Sequence, residues 1–250
     1  MKANSQVSEL IEAKAEKFRS EHGLGRALSI SMEPLLRQLG VITVFKPLDA
    51  NGAFSGMALK QDGGCFMLVN SSMSRGRQNF TIAHELYHLF VQQNFHVRVC
   101  QTGMFGAQND PEERNADYFA AYLLMPKYRI LEAAGDLEPG ASLSLESIVQ
   151  LEQEFQCSRQ ALLLRLKEMR LITAREQEEY SQNVIRSARQ LGFGTDLYQP
   201  TPSREAIGDY VPLASRLFDQ EAISESHFAG LLLDFGINPF DSDSESIDIA

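Results

Sequence analysis

His84-Glu85-Leu86-Tyr87-His88 constrains this chain more than any other stretch. On an α-helix, positions four apart share one face, so His84 and His88 can turn both imidazoles toward a single metal ion. Glu85 lies about 100° around the helix from His84. Its carboxylate is near the ion without being obliged to bind it, and is free to take a proton from a metal-bound water. Two histidine ligands with such a glutamate are the donor set of metal-assisted hydrolysis. The chain has five histidines, and chance gives roughly 0.01 such spacings at this composition. The competing reading is a core helix whose histidines only hydrogen-bond, and it leaves the intervening acid without a purpose.

The flanks support a helix. Ile82, Leu86, Leu89 and Phe90 form an apolar stripe at 3.6-residue spacing through Phe80–Gln93. Before it, Cys65–Asn70 is a short apolar run between Gly63-Gly64 and Ser71-Ser72, which predicts a strand. A second helix opens at Asp110-Pro111-Glu112-Glu113, with Asp110 as N-cap and Pro111 at the first helical position. Ala116, Phe119, Ala120, Leu123 and Leu124 give it a buried stripe that Met125-Pro126 ends.

Glu113 and Asp117 are four apart and share a face. One carboxylate can bind the metal while the other accepts the free ring N–H of a ligand histidine and fixes its tautomer. Glu113 is assigned as the ligand and Asp117 as that partner. Glu113 also fits the fourth position of an Asp-x-x-Glu capping box, and Glu112 is a competing ligand.

Phe80–His88, followed by Glu113-x-x-Ala116-Asp117-x-Phe119-Ala120-Ala121-x-Leu123-Leu124-Met125-Pro126, resembles the ImmA/IrrE family of metallopeptidases. Val69-Asn70 and the Arg75–Gln78 stretch resemble the approach to that motif. The likeness runs from about residue 30 to 130. It implies one zinc ion on His84, His88 and Glu113 with Glu85 as base. Three positions depart from the pattern: Tyr87 replaces a small residue and is expected beside the cleft, Gln92 stands where many members have a further histidine, and Asp117 stands for Asn.

A net charge of −10 disfavours nonspecific binding to nucleic acid or anionic membrane. No run of about 18 apolar residues is present to span a membrane, and Met1–Ser20 has no apolar core of a secretory signal. Cys65, Cys100 and Cys157 are odd in number and widely spaced, which fits a reducing cytoplasm.

The expected fold is α+β. Its first part is a zincin-like domain over residues 1–135, a small antiparallel sheet carrying the two metal-bearing helices. Its strands are Val41–Lys46, Phe54–Lys60 and Cys65–Asn70. They follow a first helix marked by Val7, Leu10, Ile11, Ala15 and Phe18, and a second between Ser31 and Gly40. An all-helical region comes next. Residues 142–173 have helix-turn-helix spacing, with Ser158 as N-cap of Arg159–Ile172. Residues 174–240 are expected to form further helices, Thr173–Gln190, Ser203–Phe218 and Glu221–Phe235. Residues 241–250 read as a disordered acidic tail. Arg159, Arg165, Lys167 and Arg170 against Glu168 give the Arg159–Ile172 helix a local excess of positive charge. The leucines around them favour a structural helical pair, and direct DNA binding is not expected.

These readings converge on a zinc endopeptidase. The resemblance implies a helix-turn-helix transcriptional repressor or antitoxin as its protein substrate. The alternative is a non-proteolytic zinc-binding partner of such a repressor. Tyr118, Tyr122 and His96 are candidates to stabilise an oxyanion.

Overall fold

Short apolar runs separated by glycine-bearing turns assemble into one five-stranded sheet, with helices supplying the rest of the core. The computed structural model describes residues 2–26, 29–48, 54–61, 64–93, 98–100, 110–135, 142–201, 205–235 and 237. The expected linker near residue 136, the tail at 241–250 and His96 lie outside them.

The first helix, α1, spans Lys2–Glu21, and α2 spans Met32–Gln38. Ser31 is its N-cap residue, and Gly40 follows it at φ 65°, the left-handed conformation that glycine tolerates. Strands β1 (Val41–Lys46), β2 (Gly56–Gln61) and β3 (Gly64–Asn70) come next. They lead into α3 (Arg75–Phe90), β4 (Arg98–Cys100), α4 (Pro111–Leu124) and α5 (Lys127–Ala134).

The sheet order is β4-β2-β3-β1, closed on the far side by β5, Glu205–Ile207. It is mixed rather than purely antiparallel. β1 runs parallel to β3, from Val41 opposite Cys65 to Lys46 opposite Asn70, whereas β2 pairs antiparallel with β3 and β4. A parallel neighbour requires a crossover, and the chain between β1 and β3 makes one that contains β2. Asn70 secures the loops at this end. Its amide donates to Phe54 O at 2.9 Å, and its Oδ1 accepts from Leu48 N and Ser72 N.

α3 packs on α4 and on β2, and α1 packs on α4. Leu86, Leu89, Phe119, Leu123 and Ile11 are buried in this junction, each side chain worth about 1.5–3 kcal/mol of transfer free energy. The approach of β2 to α3 requires Gly56: a Cβ there would lie 2.5 Å from Thr81 Cγ2 and 2.9 Å from Leu68 O.

Two helices beyond residue 141 form the expected paired unit. They are α6 (Leu145–Phe155, capped by Ser144) and α7 (Arg159–Glu168, capped by Ser158), joined through Gln156 in the left-handed conformation. Their turn seats on the start of α3. A Cβ on Gly76 would lie 2.7 Å from Ser158 N, and Asn79 donates to Gln156 O at 2.8 Å. Much of the helical positive charge is spent internally. Arg159 is buried against Glu152, and Arg165 is buried against Glu12 and the Tyr122 ring.

The C-terminal part departs from its expected segments. Thr173–Gln190 is two helices, α8 (Ala174–Tyr180) and α9 (Val184–Gln190), because Asn183 between them is left-handed at φ 52°. The stretch read as a helix over Ser203–Phe218 begins instead with β5, whose Ala206 and Ile207 pair with Val44 and Thr43. Gly208, at φ 94° and close over Ile42, then turns the chain into α10 (Tyr210–Asp219), and α11 (Glu225–Leu233) follows. The exposed hydrogen-bonding edge of β1 outweighs the helical spacing of three residues.

Candidate metal centre

Helical periodicity places His84 and His88 on the face of α3 that meets α4, and the capped start of α4 presents Glu113 and Asp117 to them. Asp110 accepts from Glu112 N at 2.9 Å as N-cap, with Pro111 first in the helix, as the sequence predicts. His84 Nε2 lies 3.1 Å from His88 Nε2 and 3.2 Å from Glu113 Oε2, and His88 Nε2 lies 3.6 Å from Glu113 Oε1. A tetrahedral ion with bonds of about 2.0–2.1 Å holds its donor atoms about 3.3 Å apart. His84, His88 and Glu113 therefore form a group that could hold a metal ion.

The far side of each imidazole fixes what it presents to that point. Asp117 Oδ1 lies 2.9 Å from His84 Nδ1. A carboxylate only accepts, so Nδ1 carries the proton and Nε2 offers its lone pair. On His88 the same role falls to Gln92, whose Oε1 lies 2.5 Å from Nδ1. Gln92 holds its place just beyond the helix through its own N–H, which donates to Tyr87 O at 2.8 Å. The signal for this contact in the sequence is spacing: Gln92 follows His88 by the same four residues that separate the two histidines. Two lone pairs and a carboxylate then converge on one point, an arrangement a cation neutralises.

Electrostatics agree with that donor set. Burial lowers the His88 pKa, and His84 beside it lowers it further, so the neutral ligand form prevails. Burial alone would raise Glu113, but a proton on His84 Nε2, standing where a cation would, holds it below the usual carboxylate value through hydrogen bond and charge.

Glu85 is fully buried and lies on the sheet side of α3, where a Cβ on Gly56 would come 3.6 Å from its Oε1. The segment of β2 above it, Gly56–Ala58, pairs with β4, so β4 is the sheet edge on the Glu85 side. The centre is enclosed: His84 is 0% exposed, His88 2% and Glu113 7%.

Other expected residues fall elsewhere. Tyr87 does not narrow a cleft. It is buried between the helices, with its ring against Phe119 and its hydroxyl donating to Glu112 at 2.7 Å, which also occupies the competing acid. Tyr122 is buried with its hydroxyl on Ser8, and Tyr118 stacks on Tyr122. Both therefore sit on the side of α4 turned from Glu113 and Asp117, and neither supplies an oxyanion donor.

Two histidines four apart on one helix, an acid from the next and a small sheet packed on the first of them define an α+β metallopeptidase-type domain. Residues 36–167 match the IrrE N-terminal-like domain, and the chain belongs to that family. Among solved structures, a Mycobacterium tuberculosis transcriptional regulator is similar at 21% identity and a TM-score of 0.41, covering 63% of this chain and 46% of that one. This chain thus spans less than half the length of that regulator. None of the curated proteins matches the sequence.

Proposed function

We propose that this chain is a zinc-dependent endopeptidase that cuts a protein substrate. The observation that carries the reading is the meeting of His84 Nε2, His88 Nε2 and the Glu113 carboxylate within 3.1–3.6 Å, with Glu85 adjoining on the same helix. When bound, zinc supplies Lewis acidity toward a carbonyl and a water of lowered pKa.

The residues of the chain supply the rest. Asp117 and Gln92 hold both histidines in the ligand tautomer. Glu85 accepts a proton on its carboxylate and returns it to the departing amine, a role worth about 10²–10⁴-fold in rate. Its enclosure keeps bulk water from competing for that proton. β4 offers the edge along which an extended peptide can pair by its main chain.

The substrate we propose, from family membership, is a helix-turn-helix transcriptional repressor or antitoxin. The compartment is the cytoplasm, which suits the free thiols of Cys65 and Cys157. DNA and membrane have no part in the reading. The net charge is −10, and the inward-turned Arg159 and Arg165 leave Lys167 on the second paired helix and Arg170 just beyond it as exposed cations.

One observation favours a second reading, a non-proteolytic regulator that grips its partner around a structural ion: the complete burial of Glu85 and His84, which a peptide must reach.

The deciding experiment identifies by mass spectrometry what immobilised Glu85→Gln protein retains from the host lysate, then incubates each captured protein with metal-loaded wild type. Discrete fragments, stopped by chelator and slowed about 10²–10⁴-fold by Glu85→Gln, are expected. A captured repressor that stays intact favours the regulator instead.

A further inference from the structure

Two adjacent acids, Glu112 and Glu113, open α4, and only one of them belongs to the histidine pair. Helical geometry separates them by about 100°, and both reach across to α3, Glu113 at His84 and Glu112 at Tyr87. Glu112 meets the residue beside His88 rather than the histidine itself. It is held instead by Tyr87, the residue immediately before that histidine. The Tyr87 hydroxyl donates to Glu112 Oε2 at 2.7 Å, and Asn115, one turn further along α4, hydrogen-bonds the same hydroxyl. The ring is 1% exposed and fixed by its neighbours, with centroids 5.6 Å from Phe119 and 5.7 Å from His88.

We propose that Tyr87 is a positioning residue that selects Glu113 over Glu112 as the carboxylate of the metal centre and keeps Glu112 out of the remaining coordination place. The chemical stake follows from ligand number. A hydrolytic zinc site has three protein ligands and leaves the fourth place to water or substrate. A second carboxylate there would close the site and add negative charge where a polarised carbonyl must be stabilised. Tyr87 meets both risks with one hydrogen bond, reaching across from the helix that carries the histidines to the helix that carries the acids. The inference rests on the metal-site reading proposed above.

Cobalt(II) with azide as probe reads the open place without requiring any cleavage. Cobalt-loaded wild type is expected to bind azide with a shift in its visible spectrum. Tyr87→Phe keeps the ring and should lower azide affinity about tenfold, in the range by which outer partners tune a metal site. Tyr87→Phe combined with Glu112→Gln should restore the wild-type affinity. A purely structural role for Tyr87 would not be rescued by changing Glu112. If Tyr87→Phe does not fold, Asn115→Ala, at a half-exposed position, should weaken azide binding in the same direction by a smaller factor. Unchanged azide affinity in the folded single variant, or no recovery in the double variant, overturns the role of Tyr87 alone. A wild type that takes up no cobalt overturns the metal site and this inference together.

Discussion

The α3–α4 junction and the α6–α7 pair each bury charge between two packed helices, yet only the first is poised for chemistry. In α6–α7 the buried Glu152 carboxylate meets the Arg159 guanidinium at 2.5 and 2.6 Å and also accepts from Tyr198 at 2.6 Å. Arg159 further donates to Tyr180 O and Ser187 Oγ. Cation and anion cancel, and the cluster is complete as it stands. In α3–α4, outer acceptors on Asp117 and Gln92 turn two imidazole lone pairs inward toward a carboxylate. That cluster is complete only with a cation added. Buried charge by itself therefore signals little; what matters is whether the protein neutralises it.

The largest effect separating the two regions is on stability. Removing one partner of the α6–α7 pair, as in Arg159→Met, leaves Glu152 buried and uncompensated, and should cost about 3–5 kcal/mol. Replacing both, Glu152→Leu with Arg159→Met, should recover much of that loss, since a buried pair is often matched by apolar packing. Urea unfolding of the two variants checks both halves. A loss below about 1 kcal/mol in the single variant would show that Glu152 finds water, and the proposed contrast with the metal centre would fail.

Next in size is the coupling between outer partners and metal affinity. Asp117→Ala and Gln92→Ala should each weaken zinc binding about 10–100-fold, read by competition with a chromophoric chelator. Asp117 should matter more than Gln92, because a carboxylate also raises the basicity of its imidazole whereas an amide only fixes the tautomer. Equal losses would mean that orientation alone is at work.

These tests also mark what was legible in the sequence. His84, His88, Glu113 and Asp117 are legible because the helical repeat dictates a shared face within each of two helices. That the two faces meet is tertiary: the spacing within α4 proposes it while leaving Glu112 and a capping role open, and the resemblance favours Glu113. Gln92 obeys the same four-residue rule, although the family pattern marks it only as a departure. The expectation of Tyr87 beside a cleft fails because its position in the repeat says which way it points, not that α4 covers it. β5 was missed for a different reason. Its three residues pair with Thr43–Phe45, more than 150 positions earlier, and nothing local distinguishes them from a helical turn. The positive charge on α7 was visible as composition, whereas its use was not. Arg159 is matched to Glu152 across the turn, and Arg165 to Glu12 on α1.

The smallest expected effect concerns acid, and it probes the metal-free centre directly. His88 and Glu113 both bind protons less readily in the fold than in an unfolded chain, where their pKa values are about 6.5 and 4.5. For each, the unfolded state therefore gains protons first as pH falls, and the native state loses stability relative to it. The contribution is fully present above the unfolded value and disappears as pH drops through the lower folded value. Thermal midpoints of chelator-treated protein should thus decline as pH falls below about 6.5, and decline again below about 4.5. His88→Gln should remove the upper decline and leave the lower one in place. A midpoint flat between pH 7 and 5 would mean that His88 is as easily protonated in the fold as outside it. The imidazole would then not be held as a ready ligand, and the centre would differ less from the self-neutralised pair than the geometry indicates.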